Sequence, residues 1–414
     1  MSERNSKGEG PRALALRVLK RVSRGKYLEP TLDLALEKST LQGPDRGLAT
    51  QLAYGTLQRL YYLDHVLAPF LKDPGRLPEA IRWILRLGAF EKLFLRTPDY
   101  AAVSEWVELA KDASPRHAGL VNAVLRRVRP KAAPPWIRES VPKFLYNHWR
   151  EFFGDAGFVR HFNEPPPLWV TAFPGAEKAL QDEGVQYETG PVPGSLKLAG
   201  SPLRALKAYR RGLVQPQNPA SLFAAQLLEA PPGERVLDLA GGAGLKAAWL
   251  AAQGARVTSY DKNPRRQEAG RKNFQRLGLS VDFKTADLTR PIPDRAAYVL
   301  LDAPCTGTGT FRHHPELRYR IQRGDPEETS RLQRKLLETA ARATLPGGRL
   351  VYAVCSLTGP EGEGVVRAFL KDHPEFEPEP FELPFPALKH DLGAYVRPED
   401  GLDGFYYARL RRKA

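Results

Sequence analysis

The 414-residue chain has two cysteines, one methionine and eight histidines. Two thiols exclude a disulfide-stapled scaffold, which needs several bridges to replace a core. No apolar run approaches the ~20 residues that a membrane-spanning helix requires. Met1-Ser2-Glu3-Arg4 carries no signal-peptide core, so a cytoplasmic protein is expected. Acidic residues are also in deficit, 47 against 62 Lys and Arg, giving a formal charge of +15. Hydrophobic residues at 42% and charged residues at 26% exclude wholesale disorder. The length admits roughly two to three domains, each large enough to bury a core.

The charge is uneven. Residues 1–135 carry a net +9, leaving +6 for the other two thirds. A polyanion is the natural partner of such a segment, because phosphates neutralised by Lys and Arg release counterions. A solvated basic surface is the plain alternative. The same third reads as helical: Leu14, Val18 and Val22 repeat at helical spacing, as do Val103, Trp106, Val107 and Ala110. Leu120, Val121, Val124, Leu125 and Val128 add another stripe, and Gly43-Pro44 and Asp73-Pro74-Gly75 mark turns. A compact bundle of five to seven helices is expected. Arg126 and Arg127 fall near a helix C-terminus, where cations suit the dipole whether or not they meet RNA. Beyond Pro130 the proline pairs predict a linker, then a small α+β subdomain containing a helix near 141–153 and a strand at 168–173.

The C-terminal half alternates strands and helices. Arg235–Leu239 reads as a buried strand, Ala240-Gly241-Gly242-Ala243-Gly244 as a turn, and Leu245–Ala252, which contains Lys246, as a helix. This is the opening unit of a doubly wound sheet, whose glycines let a ligand press against backbone at a helix start. The spacing is not G-x-G-x-x-G, which disfavours a pyrophosphate-binding dehydrogenase. Arg256–Tyr260 predicts a second strand ending at Asp261, an acid placed to accept ribose hydroxyls. A third strand, 281–285, precedes Asp287, which either meets an adenine edge or serves as a turn residue. Together these features favour S-adenosylmethionine as the ligand.

Both cysteines then fall at strand ends. The strand 297–301 leads into Asp302-Ala303-Pro304-Cys305, and 349–354 leads into Cys355-Ser356. Open α/β sheets bind ligands at the carboxyl ends of their strands. The alternative is ordinary: two small buried apolar side chains. The chemistry that needs such thiols is alkylation of cytosine C5, which is too electron-poor to attack a methyl donor. A thiolate adding at C6 makes C5 nucleophilic, and a base later removes the C5 proton so that the thiol can leave. A partner is needed at N3, where negative charge develops. Asp302 is the candidate for that role and Lys246 for orienting it. The target base must stand outside its stack.

The stretches 302–316 (Asp-Ala-Pro-Cys-Thr-Gly-Thr-Gly-Thr-Phe-Arg-His-His-Pro-Glu) and 352–356 (Tyr-Ala-Val-Cys-Ser) resemble the two cysteine motifs of the Fmu/Sun (NOL1/NOP2/Sun) RNA cytosine-C5 methyltransferases. Residues 98–111 and 119–127 resemble stretches of their NusB-like RNA-binding domain, and 215–221 and 400–410 fit the same family. The pairing is that of the ribosomal RNA small-subunit methyltransferase B type. The resemblance implies an α/β chain: an all-α NusB-like domain over 1–133, a linker with a small α+β subdomain over 134–214, and a Rossmann-like methyltransferase domain over 215–414. It implies Cys355 as nucleophile and Cys305 in release, although DNA cytosine methyltransferases attack with a Pro-Cys like Pro304-Cys305. It further implies cofactor contacts from Ala240, Gly241, Gly242, Ala243, Gly244, Leu245, Lys246, Asp261, Asp287 and Asp302. The substrate implied is 16S rRNA, naked or in early assembly, with the family target near position 967. A monomer with no membrane partner is expected.

The family turn usually reads Ala-Ala-Pro-Gly-Gly-Lys-Thr, whereas here residues 241–247 read Gly-Gly-Ala-Gly-Leu-Lys-Ala. Arg312, His313, Arg318, Tyr319 and Arg320 are expected to line the RNA path with Arg126 and Arg127. His313 and His314 lack cysteine or acidic neighbours at ligand spacing, so no metal is expected. The rival from another class is a non-catalytic ribosome-assembly or antitermination factor that keeps a decayed methyltransferase domain. A third reading is a methyltransferase with a different RNA or DNA target.

Overall fold

The structure is a computed structural model that describes residues 9–200 and 203–414. Met1–Arg4, and the expectation attached to them, lie outside the described residues. The chain folds into two compact units. One runs through Glu164 and takes in Phe311–Ile321; the other comprises Pro165–Thr310 and Gln322–Ala414.

The first unit is helical: Pro11–Val22, Leu28–Glu37, Gly43–Gln58, Leu60–Leu67, Glu79–Phe94, Asp99–Ala113 and Ala118–Arg127. Proline at the first turn of Pro11–Val22 and of Gly43–Gln58 sets φ where its missing N–H costs nothing. The apolar stripes face inward as their spacing predicts, with Leu14, Val18, Trp106, Val121 and Leu125 fully buried. Gly55 lets two helices meet: a Cβ there would stand 1.9 Å from the Phe90 ring. Glu91, a carboxylate buried in this unit, is satisfied by Arg12 Nη2 at 2.5 Å and Trp106 Nε1 at 2.8 Å.

The first compact unit extends past the 133/134 boundary expected for the helical domain, as far as Glu164. The proline pair that suggested a linker has another use, since Pro135 occupies the first turn of a short helix, Pro135–Arg138. The following helix, Lys143–Phe153, buries Trp149 against Phe158, Phe162 and Phe311.

The second unit holds two sheets. Strands β1 (Leu168–Ala172), β2 (Tyr187–Thr189), β3 (Ser195–Leu198) and β4 (Val214–Pro216) form an antiparallel sheet in the order β2-β3-β1-β4. The larger sheet contains β5 (Arg235–Leu239), β6 (Arg256–Asp261), β7 (Asp282–Thr285), β8 (Ala296–Asp302), β9 (Thr344–Val354), β10 (Phe376–Pro378), β11 (Leu388–His390), β12 (Gly393–Val396) and β13 (Phe405–Arg412). Its order is β11-β12-β13-β9-β8-β5-β6-β7, with β10 paired to β13. Strands β5 to β9 are parallel, while β13 runs antiparallel against β9.

This is the expected doubly wound sheet, parallel over β5 to β9 and extended by the antiparallel strands β10 to β13. From β5 the chain winds outward to β6 and β7, then returns to the other side of β5 for β8 and β9. The order therefore reverses between β5 and β8, and that reversal opens a crevice at their carboxyl ends. The strands read as apolar runs because both faces are covered: Val236, Leu237, Val299, Leu300, Val351 and Tyr352 are all fully buried. Among the described residues, no helix is long and apolar enough to cross a membrane.

Candidate active site

The site is built at the carboxyl ends of β5 to β9. At the end of β5 the chain turns through Ala240 (φ +60°), Gly242 (φ +59°) and Gly244 (φ +75°) before the helix Leu245–Ala252. Left-handed backbone at three of five positions explains the run of small residues. Gly241 is required for a different reason, since a Cβ there would stand 2.0 Å from Asp238 Oδ2. Asp238 is fully buried, accepts from Ser259 Oγ at 2.8 Å, and leaves its Oδ1 without a hydrogen-bond partner. Burial pushes its carboxyl up to about 6, against the opposing Ser259 hydrogen bond.

Asp261 closes β6. Its Oδ2 accepts the Gly242 N–H at 3.0 Å and its Oδ1 the Asn263 N–H at 2.7 Å. It thus ties the glycine turn to the neighbouring strand end while keeping further acceptor capacity. Asp287, beyond β7, is exposed and accepts from Thr289 N and Oγ1 at 3.0 and 2.8 Å; those bonds hold its carboxyl low. These features suit an adenosyl ligand: a glycine cradle that a Cβ would fill, an orphaned buried carboxylate oxygen, and acids at successive strand ends. The departure from the usual turn is accommodated locally. Leu245 sits at the first helical position with its side chain 37% exposed, and Lys246 behind it is buried.

Lys246 Nζ donates to Asp302 Oδ2 at 2.6 Å, spanning the crevice between β5 and β8, and lies 5.7 Å from the Phe405 ring centroid. The lysine is buried while the carboxylate side chain stays 29% exposed. The pair is therefore anchored at its cationic end and open at its acidic end.

The two cysteines come together. Cys305 Sγ and Cys355 Sγ are 3.2 Å apart, and both are free and partly accessible. Backbone bonds hold the segments that carry them: Ala303 N–H donates to Ala353 O at 3.0 Å, and Gly309 N–H to Cys355 O at 3.0 Å. Gly309 must be glycine here, since a Cβ would meet Gly404 O at 1.9 Å. The Cys305 thiol is pushed up, first by its hydrogen bond with Cys355, then by burial and by the nearby Glu361 carboxylate.

The sequence reading missed Glu361. It is fully buried close to both cysteine motifs and accepts from Thr306 N and Oγ1 at 2.8 and 2.5 Å, Ser356 Oγ at 2.6 Å, Thr358 Oγ1 at 2.9 Å and Gln333 Nε2 at 3.2 Å. The available signal was a glutamate six residues past a strand-end cysteine.

Two residues expected on the RNA path have other work. Arg312 and Arg318 are fully buried within the helical unit. Arg312 donates to His161 O at 2.8 Å and pairs with Glu164 at 3.2 Å. Arg318 donates to the carbonyls of Gln58, Phe162 and Phe311 and to Asn163 Oδ1, at 2.5–3.1 Å. Burial lowers its guanidinium to about 10. They are internal cement rather than RNA ligands, because a guanidinium committed to buried carbonyls offers nothing to a phosphate. Tyr319 and Arg320 likewise bond to Leu57 O and to Val22 O and Lys26 O. His313 remains partly exposed, and Arg126 and Arg127 are exposed on the helical unit, the latter stacked 5.2 Å over Phe70.

Known proteins resemble this chain along its length. The family model described as 16S rRNA methyltransferase RsmB/F matches residues 225–411, and that of the NusB family matches residues 9–130. The ribosomal RNA small subunit methyltransferase B of Thermus thermophilus is 60% identical over 97% of this chain and 98% of its own. The probable ribosomal RNA small subunit methyltransferase B of Bacillus subtilis is 28% identical with the same coverage. The crystal structure of PH0851 superposes with a TM-score of 0.85 at 25% identity, over 97% of this chain and 99% of that one. NSun6 from Pyrococcus horikoshii, solved with SFG, shares the fold at a TM-score of 0.59 and 20% identity, over 66% of this chain and 98% of its own. With the glycine cradle, the acids at the strand ends and a NusB-type helical unit in one chain, this protein belongs to the RsmB/F family of S-adenosylmethionine-dependent methyltransferases of small-subunit ribosomal RNA.

Proposed function

We propose that the protein methylates C5 of a cytosine in 16S rRNA through a covalent bond between Cys355 and C6 of that base. The observation that carries the reading is the thiol pair, 3.2 Å apart beside the Lys246–Asp302 bridge. Cys355 Sγ adds to C6 while Asp302, oriented by Lys246 and protonated at its open oxygen, gives that proton to N3 where negative charge develops and takes it back when the product forms. The C5 carbon then carries the electron density, and the bound S-adenosylmethionine supplies the methyl group. A base takes the C5 proton, the electron pair re-forms the C5–C6 double bond, and the C6–S bond breaks. Cys305 holds its proton 3.2 Å from the departing sulfur and hydrogen-bonds it as it leaves. Gly241 to Lys246, with Asp261 and Asp287, hold the methyl donor. The target base stands unstacked for any of this to happen.

The test is transfer of labelled methyl from S-adenosylmethionine to unmethylated 16S rRNA, with the product mapped as 5-methylcytosine. We expect one modified cytosine near position 967 on naked RNA or an early assembly intermediate, by a monomeric cytoplasmic enzyme. Label on another base or another atom of cytosine would sink the C5 chemistry. A protein that binds RNA but transfers nothing would favour the assembly-factor reading.

The helical unit is proposed to hold the RNA, through Arg126, Arg127 and the partly exposed His313. The double variant Arg126→Glu/Arg127→Glu is expected to weaken RNA binding at every sequence tested. It should also reduce the slope of log affinity against log salt by about one for each phosphate left without its arginine. An unchanged slope would make these charges mere surface.

A further inference from the structure

We propose that Glu361 is the positioning residue of the thiol pair: it clamps the residues that follow the two cysteines, thereby setting the sulfur-to-sulfur distance, and it places a negative charge next to the Cys305 segment. The inference rests on the two-cysteine reading above. Thr306 follows Cys305 and Ser356 follows Cys355; the same carboxylate accepts from both side chains, and from the Thr306 backbone N–H as well. A second tie, independent of the carboxylate, joins the motifs: Thr308 Oγ1 accepts the Leu357 N–H at 2.8 Å and lies 3.1 Å from Ser356 Oγ. Gln333 spans from the carboxylate to Pro304 O at 3.0 Å, immediately before Cys305. The two cysteines lie 50 residues apart in the chain, so the sulfurs can hold one separation only if something grips both segments.

A shared hydroxyl network would suffice as mere glue. Burying a full carboxylate at its centre is costly, and the cost has a return only if the charge acts on something. Its hydrogen-bond donors are all neutral, and among the described residues no cation pairs with it. The titratable groups that feel its charge are Cys305, Tyr352 and Tyr395. Burial pushes both phenols up, which leaves them neutral, so the Cys305 thiol is the group that responds. Burial also raises the Glu361 carboxyl, while its hydrogen bonds from Ser356, Thr306 and Thr358 oppose that rise and favour the anion. A negative charge on the Thr306 side disfavours a thiolate on Cys305, adding to the larger effects of its hydrogen bond with Cys355 and of burial.

The test uses the full-length protein with Glu361→Gln and Glu361→Ala. Glutamine keeps the shape and most hydrogen bonds but removes the charge; alanine removes both. Iodoacetamide alkylation of each cysteine, read by peptide mass spectrometry across pH, needs no RNA. In Glu361→Gln the midpoint for Cys305 is expected to move down by roughly one pH unit, as when a like charge leaves a titrating group. Methyl transfer should fall about tenfold in Glu361→Gln and about a hundredfold in Glu361→Ala, the cost of misplacing a reacting group by an ångström. Cofactor affinity should be unchanged in both. A Cys305 midpoint identical to wild type in folded Glu361→Gln overturns the role of the charge. Full turnover in folded Glu361→Ala overturns the clamp. If wild type transfers no methyl group, the two-cysteine reading falls, yet the alkylation curves still decide what Glu361 does to the thiols.

Discussion

Cys355→Ala should abolish methyl transfer, while Cys305→Ala should bind RNA and keep it, accumulating a covalent protein–RNA species that survives denaturing electrophoresis. The asymmetry follows from the site. Removing the nucleophile deletes the only route by which C5 becomes reactive, so turnover drops to the level without covalent catalysis, on the order of 10⁴-fold or more down. Removing Cys305 leaves addition and methylation intact. What it takes away is the thiol held 3.2 Å from the sulfur that must depart, so the adduct stalls after the methyl group has moved. Without added S-adenosylmethionine the same variant should yield less adduct, because addition alone is reversible. The double variant should trap nothing. Adduct formation by Cys355→Ala would reverse the two roles, giving Cys305 the attack that its proline-cysteine setting suggests by analogy with DNA enzymes.

The second large effect is on stability. Arg318→Met should destabilise the helical unit by about 3–5 kcal/mol, the cost of removing one partner from a buried charged network. Methionine fills the apolar part of the side chain but leaves the carbonyls of Gln58, Phe162 and Phe311 without their donor. Thermal unfolding followed by circular dichroism should show a transition lower by on the order of 10 °C. Arg318→Lys should recover little, since an ammonium cannot reach four acceptors that a planar fork spans. If Arg318 instead served RNA, Arg318→Met would melt like the wild type and lose affinity. Melting and binding measured on the same sample separate the two.

The strand ends were legible because each fully buried parallel strand is a short apolar run. The residue closing such a run announces its own position at the crevice, as Asp261, Asp302 and Cys355 do. The glycine turn was legible for the same reason. Glu361 was not, because its partners at 306, 333, 356 and 358 share no periodicity and meet only when β8 and β9 pair. Arg312, Arg318, Tyr319 and Arg320 misled in the opposite direction. Basic residues mixed with aromatics look like an RNA-facing loop, yet the same mixture can satisfy buried carbonyls while packing against Phe162 and Phe311. Nothing local distinguishes the two. Pro134-Pro135 marks no break in the compact unit, because proline begins a helix as readily as it ends one.

The passage of Phe311–Ile321 through the helical unit bears on how the protein is made. Domains usually close in the order in which they leave the ribosome, N-terminal first. Here the amino-terminal unit cannot close when its own residues have emerged, because the arginine that joins four of its acceptors is encoded some 150 positions after Glu164. Until the elongating chain reaches Arg318, the carbonyls of Gln58 and Phe162 await their donor, while the carboxyl ends of β5 to β8 are already in hand. The helical unit is thus completed only after β5 to β8 have been made and before β9 and Cys355 follow, and a nascent chain arrested before residue 318 should remain sensitive to protease within its first 164 residues.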